Sequence, residues 1–398
     1  LVVDNEYKMR DGQRTIAHVL KEAGYRTGFV GKWHLGYGPY PEEKRHGFDW
    51  LAAYDCYRKH YEGAFYENEE WPIPFNCWSP ERETSLALDF IKGHIETSPS
   101  KPFALMLGWS PPHWPYEDYP QEFNIYDPEK IDIPGNVPEQ FEDFARKELA
   151  HYYGCITALD NLLGQILQSL EDWGISDNTI VCYSSDHGDH LSSHGYGKPF
   201  DDWMHPSRRA SKATPYDESI HVPFILRFPN EVKADKRNSA LLSSVDIMPT
   251  LLDLCGIPIP QEVQGLSLSH IMRGQKGPQR QAVYLMNMGP GWPPRIHWTG
   301  NWRALRTDRW LYARWYQDEQ GPWLIDRESD PLEMENLAGH PDYTKIQENL
   351  ERRLKQFMEE TEDPFESGER DPVTNMLKLG QAFDKKEWYD KQASFRNF

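Results

Sequence analysis

Positive charge is what this chain is short of: 43 Lys and Arg stand against 62 Asp and Glu, a formal net charge of −19. A basic face for nucleic acid is therefore excluded as an organising feature. Long apolar runs are missing too, and no stretch reaches the ~20 residues that a membrane-spanning helix needs. Cysteine is scarce, with five in 398 residues, at positions 56, 77, 155, 182 and 255. So scattered and odd a set makes no disulfide framework. Cys155 and Cys182 fall in a helical stripe and a strand-like run, and read as buried thiols. They settle no compartment.

What remains is aromatic and patterned. Aromatic residues form 13% of the chain, with 15 Trp and 21 Tyr. That suits carbohydrate stacking, although most such rings belong in a core. A chain of this length has room for one large domain and one small one. Helical stripes and short apolar runs alternate in the manner of a parallel sheet covered on both faces. One stripe joins Ile156, Leu159, Leu162, Leu163, Ile166, Leu167 and Leu170 and stops before Gly174. Past the polar linker from Gly274 to Arg280, strand-like runs follow around Trp302 to Tyr316 and Trp323 to Ile325. An amphipathic helix then spans Pro341 to Glu360, with Ile346, Leu350, Leu354 and Phe357 inward. The expected organisation is an α/β domain over 1–275, a small antiparallel sheet plus helix over 276–360, and a charged tail over 361–398.

Three apolar runs end in chemistry. The first, closing at Val30, delivers Gly31-Lys32-Trp33-His34. After Phe103 to Gly108 comes Trp109-Ser110-Pro111-Pro112-His113-Trp114-Pro115-Tyr116. The third, ending at Tyr183, releases Ser184-Ser185-Asp186-His187-Gly188-Asp189-His190. In open parallel sheets, ligands bind outside the carboxyl ends of the strands. Prolines put His113 on a stiff loop. An Asp and a neutral His are donors for a divalent cation. Alone, each reads equally well as a solvated lysine, a packed histidine or a polar turn. Recurrence at three strand ends favours a site.

With these residues in view, the chain resembles the sulfatases of the alkaline phosphatase superfamily over nearly its whole length. Gly24-Tyr25-Arg26-Thr27 through Gly31-Lys32-Trp33-His34-Leu35-Gly36 matches a sulfatase sequence pattern. Ser185-Asp186-His187-Gly188-Asp189 is similar to its metal-binding turn, and Tyr216-Asp217-Glu218-Ser219-Ile220-His221-Val222-Pro223 to the segment after its second lysine. Val245 to Asp253 and Asp330 to Leu337 resemble later blocks. The resemblance implies an alkaline phosphatase-like fold: an α/β domain with a mostly parallel central sheet sandwiched by helices. It also implies a sulfuric ester hydrolase acting on a sulfated carbohydrate or an aryl sulfate. A divalent metal, usually calcium, would be held by Asp186 and His187. Lys32 would bridge nucleophile and sulfate, and His34 would orient the nucleophile. His113 and a second lysine would bind sulfate and protonate the leaving oxygen.

For that lysine, Lys212 fits the family spacing and Lys198 is the alternative. His60, in the aromatic loop between His46 and Trp71, would border the substrate pocket. Arg303, with Arg306 and Arg309, would meet a carboxylated or multiply sulfated glycan, although alternating charge on a solvated strand face is the plainer reading. The partner implied is a small-molecule or glycan sulfate ester, with neither nucleic acid nor a membrane span. By resemblance the compartment is periplasmic or secreted.

Sulfatases carry a formylglycine made from a Cys/Ser-x-Pro-x-Arg motif upstream of Gly-Lys-x-His, and two consecutive aspartates complete their metal site. This sequence, starting at Leu1, shows neither. Cys77-Trp78-Ser79-Pro80-Glu81-Arg82 has one residue too many, and Met204-His205-Pro206-Ser207-Arg208 has methionine at the nucleophile position. Both read as decoys. The expectation is a sulfatase sequence without its N-terminal strand, nucleophile loop and first metal ligands. Two alternatives stand beside it: a phosphonate or phosphodiester hydrolase of the same superfamily, and a non-catalytic remnant that binds sulfated glycans.

Overall fold

The computed structural model describes residues 9, 12–54, 60–196, 212–288, 301–318 and 321–369. Thr15 opens the first helix, α1 (Ile16–Glu22), through a capping box in which the Thr15 hydroxyl and the His18 ring each satisfy the other's backbone N–H. Ala17, Val19 and Leu20 are its buried stripe, and Gly24 turns the chain at φ +89°. Strand β1 (Arg26–Lys32) follows, buried along its interior. In chain order come β2 (Trp50–Tyr54), β3 (Glu62–Glu67), β4 (Ile73–Asn76), α2 (Ser79–Thr97), β5 (Phe103–Gly108) and the long α3 (Glu142–Asp172). Then come β6 (Val181–Ser184), α4 (Asp217–Ile220), β7 (Phe224–Arg227), α5 (Ser244–Leu254) and α6 (Ser269–Met272).

The central sheet has the order β4-β3-β2-β1-β5. At its heart β2, β1 and β5 run parallel, Lys32 standing beside Tyr54 and Gly31 beside both Ala53 and Gly108. Helices α2 and α3 cover one face, with Phe90, Ile91 and Leu170 against Phe103, Leu105 and Val181. Helices α1 and α5 cover the other, where Val19, Leu20 and Leu252 meet Ala104. The expected α/β sandwich is therefore present.

Two details differ from the sequence expectation. β3 and β4 add to the sheet antiparallel, so the segment between His46 and Trp71 contains strands β2 and β3 as well as loop. Its mixture of charged and aromatic residues hides the strand period. In addition, β6 pairs antiparallel with β7 and does not extend the parallel ladder. Among the described residues, β5 and β6 each keep one edge without backbone partners.

The C-terminal part is an antiparallel sheet of β8 (Val283–Asn287), β9 (Trp302–Arg306), β10 (Trp310–Trp315) and β11 (Trp323–Asp326), in the order β11-β10-β9-β8. Helix α7 (Thr344–Glu360) lays Leu350, Leu354 and Met358 on one face of it, against Leu305, Tyr312 and Leu324. Alternate residues Trp302, Ala304, Leu311, Ala313 and Trp315 face the other way and pack on Tyr216 and Ile220. The tail expected from residue 361 begins as core. Phe365 is 1% exposed, and Asp363 holds a buried arginine. Cys77, Cys155, Cys182 and Cys255 are free thiols, Cys155 fully buried.

Candidate active site

The carboxyl end of β1 needs a glycine. Gly31 has φ +105°, and a Cβ there would fall on the carbonyl oxygen of Gly108 in β5. That approach brings the two strand ends together. Trp33 turns inward, its N–H bonded to the Tyr54 carbonyl and its ring packed among Phe29, Tyr40 and Phe48. Lys32 and His34 are left to the site, with His34 in the left-handed region at φ 55°. His113 follows β5 on a loop whose Pro111-Pro112 and Trp114-Pro115 bonds are cis. Its Nδ1 lies 2.7 Å from the Trp114 carbonyl. That nitrogen therefore carries the proton, and Nε2 presents a lone pair.

The third contribution comes after β6. His187 Nδ1 donates to the Gly188 carbonyl at 2.8 Å, fixing Nε2 toward Lys212 Nζ at 2.6 Å and Asp186 Oδ2 at 3.3 Å. Gly188 is required as well. A side chain there would collide with the backbone of Glu218, and its N–H bonds the Ser219 carbonyl at 2.9 Å. Lys212 is clamped by its neighbours. Trp302 Nε1 donates to the Ala213 carbonyl at 2.9 Å, and Thr214 Oγ1 pairs with buried His190 at 2.8 Å.

The electrostatics record how close these groups are. Burial, then Lys32 and Lys212, pushes His34 down to about 4. Burial, then Lys212 and Lys32, pushes His113 down to about 3. His187 is lowered by burial and by Lys212. Burial alone would raise Asp186, but His187, Lys212 and Lys32 together hold it below the usual carboxylate range. Its side chain is 81% exposed at the mouth of the cluster. Lys32, His34, His113, Asp186, His187 and Lys212 thus converge, two cations and three neutral imidazoles about one carboxylate. An anion entering here would meet two ammonium groups and shift the imidazoles back toward protonation.

His60 lies beside this group. It is 1% exposed, and burial lowers it, as does Lys32. Its backbone ties Ser79 to Asp118, and neither ring nitrogen has a hydrogen-bond partner among the described residues. Lys198 falls outside the described residues. Arg303 is a correction: it is fully buried in β9, bidentate on Asp363 and bonded to the Asn287 and Trp302 carbonyls. It holds the C-terminal sheet together and meets no ligand surface.

Asp186 and His187 offer one oxygen and one nitrogen donor on the same side, already facing a cation in the form of Lys212. The donor set fits a divalent metal as part of a coordination shell. It does not complete one, since calcium takes 6–8 oxygen ligands. A second group with metal-like spacing is His194, Glu218 and Glu333, whose ligand atoms lie within 4.8 Å of one another. Its lone pairs are largely engaged. Glu333 accepts from Arg327 and from the Asp217 N–H, and Glu218 from Asn136. No local pattern points to Asn136, which bridges Glu218 and His194 across 82 and 58 residues.

Comparisons with known proteins identify the family. The Sulfatase family model matches residues 3–257, and that for the C-terminal part of N-sulphoglucosamine sulphohydrolase matches residues 210–360. An ulvan-active sulfatase of Formosa agariphila is 30% identical over 376 residues, 91% of this chain and 69% of that protein. An endo-4-O-sulfatase of Bacteroides thetaiotaomicron is 28% identical over 400 residues, covering 90% and 75%. A structure solved in complex with its substrate D-glucosamine-2-N,6-O-disulfate superposes with a TM-score of 0.79 at 23% identity, covering 92% of this chain and 86% of that one. This chain belongs to the sulfatase family of hydrolases.

Proposed function

We propose that this chain supplies the sulfate-binding and metal-binding residues of a formylglycine sulfatase acting on a sulfated carbohydrate or an aryl sulfate. The observation that carries the reading is the convergence of Lys32, His34, His113 and Lys212 on the Asp186–His187 turn. Sugar sulfates are favoured over aryl sulfates by relatives named as an ulvan-active sulfatase, an endo-4-O-sulfatase and an N-acetylglucosamine-6-O-sulfatase.

Lys32 and Lys212 hold the sulfuryl oxygens by charge, and the buried surroundings strengthen that attraction. A calcium ion on Asp186 and His187 would neutralise charge on the same oxygens. Unliganded His113 is neutral, with its free lone pair at Nε2. The negative charge of a sulfate ester offsets the two lysines and brings a proton to that nitrogen, ready for the leaving oxygen. His34 is half-buried, and its Nε2 is out of solvent and unbonded among the described residues, placed to orient the nucleophile. The nucleophile itself is not one of the clustered residues, and the reading leaves it to the formylglycine segment of the family.

Turnover of an aryl sulfate and an aryl phosphate, with calcium or chelator, tests this in the chain as given and in a form extended upstream through a Cys/Ser-x-Pro-x-Arg segment. The extended form should cleave sulfate and lose activity on chelation. Lys32→Ala and His113→Ala should each cost roughly 10²-fold or more in turnover, with unchanged thermal unfolding. Near-normal turnover in either variant would remove the assigned roles. Preference for phosphate would move the assignment to the phosphonate or phosphodiester hydrolases.

A further inference from the structure

The loop bearing His113 and the turn bearing Asp186 and His187 come from strands that share no backbone ladder among the described residues. The sheet therefore does not set their separation. Yet both rings are tied to their own segments, His113 to the Trp114 carbonyl and His187 to the Gly188 carbonyl. Any relative shift of loop and turn becomes a shift of the two imidazoles. One side-chain bond spans the gap directly. Tyr116, three residues past His113 and 2% exposed, donates its hydroxyl to Asp189 Oδ2 at 2.7 Å. Asp189, two residues past His187, uses its other oxygen to accept the Leu191 N–H at 3.3 Å. The Tyr116 ring is braced edge-on by Tyr152 of α3, with centroids 5.7 Å apart. A sheltered hydroxyl-to-carboxylate bond of this kind is short, directional and costly to break.

We propose that Tyr116 and Asp189 are positioning residues that lock the sulfate-binding loop to the metal-binding turn. The inference rests on the functional reading above for what the lock serves, and on geometry alone for the lock itself. Neither residue touches substrate. Each acts through the histidines on its own segment.

Asp189→Asn and Asp189→Leu test it together, because both remove the same charge and only asparagine keeps an acceptor for Tyr116. Amide hydrogen exchange is followed over residues 110–116 and 186–191. Asp189→Leu should speed exchange about tenfold in both segments at once, while Asp189→Asn stays close to wild type except at the Leu191 amide, whose acceptor asparagine cannot also supply. Tyr116→Phe should reproduce the Asp189→Leu pattern, and stands in for it if that variant does not fold. No change, a change in one segment only, or equal changes in the two Asp189 variants would overturn the lock. Calorimetric calcium titration of the upstream-extended form, in which the remaining ligands complete the shell, supplies the functional arm. Asp189→Leu should bind about tenfold more weakly than Asp189→Asn, because a displaced turn misplaces both ligands. Equal affinities would overturn the lock's service to the turn. Failure of the wild type to take up calcium would sink the metal assignment instead, with the exchange experiment still deciding the lock.

Discussion

Glu83, in α2, accepts a hydrogen bond from the Tyr54 hydroxyl at 2.7 Å, and Tyr54 is the β2 partner of Lys32. Burial pushes its carboxyl up to about 8, against the smaller opposing effects of Tyr54 and Ser79. The folded state therefore favours the protonated form. Its contribution to stability is complete below the unfolded carboxyl value near 4.5 and fades as pH rises through about 8. Glu83→Gln keeps the neutral shape. Thermal melts should show the variant more stable than wild type at pH 8, by on the order of a few kcal/mol, and nearly equal at pH 4.5. A constant difference across that range would show that Glu83 ionises freely. Glu83 was invisible in the sequence, as were Tyr116 with Asp189 and Asn136 with His194, because a bond across tens of residues leaves no local pattern. Lys32, His34, His113, Asp186 and His187 could be singled out because strand ends and glycine turns announce themselves in a few consecutive letters, whereas Lys212 came only from its spacing in the family resemblance. Arg303 was misread for the opposite reason. Its neighbours show a surface-like alternation of charge, while its partner Asp363 lies 60 residues away.

Element by element, β1 and β5 meet in a close joint. Gly31→Ala would add a methyl group against the Gly108 carbonyl at a left-handed φ. Backbone on a paired strand cannot step aside as a side chain can. The substitution should cost about 3 kcal/mol or more by denaturant unfolding, well above ordinary surface changes. Gly24→Ala, also at positive φ but with nothing near its would-be Cβ, is the control and should cost less. Equal losses would mean that φ alone, and not the strand contact, governs Gly31. Helices α1, α3 and α7 were readable from their stripes, although α3 begins earlier than its clearest apolar period, at Glu142. The antiparallel pairing of β6 with β7 was not readable. An apolar run specifies a buried strand but not the direction of its neighbour.

Across the whole molecule, the C-terminal sheet meets the rest of the chain at Tyr216. Its ring stacks on His194 at 3.8 Å and leans on Trp323 at 4.8 Å. The C-terminal sheet thus buttresses the segment that also carries Lys212, whose neighbour Ala213 it bonds through Trp302. Within that sheet the Arg303–Asp363 pair is out of water, its side chains 0% and 2% exposed. Arg303→Ala leaves a buried carboxylate unpaired and should destabilise the protein by about 3–5 kcal/mol. Sulfate affinity of the folded fraction, read by calorimetry below the melting range, should hardly change. Lost affinity at unchanged stability would restore Arg303 to the ligand surface.

The edges of β5 and β6 that lack backbone partners among the described residues bear on how copies of the molecule treat one another. Apolar side chains stand in the open on these sheets, Met106 of β5 at 56% and Ile225 of β7, the partner of β6, at 61% exposure. A free strand edge is a template for any extended chain, including an identical one. What holds two such chains apart is their shared formal charge of −19. That repulsion reaches only about 10 Å at 0.1 M salt and shortens as salt rises. Colloidal stability should therefore fall as ionic strength rises.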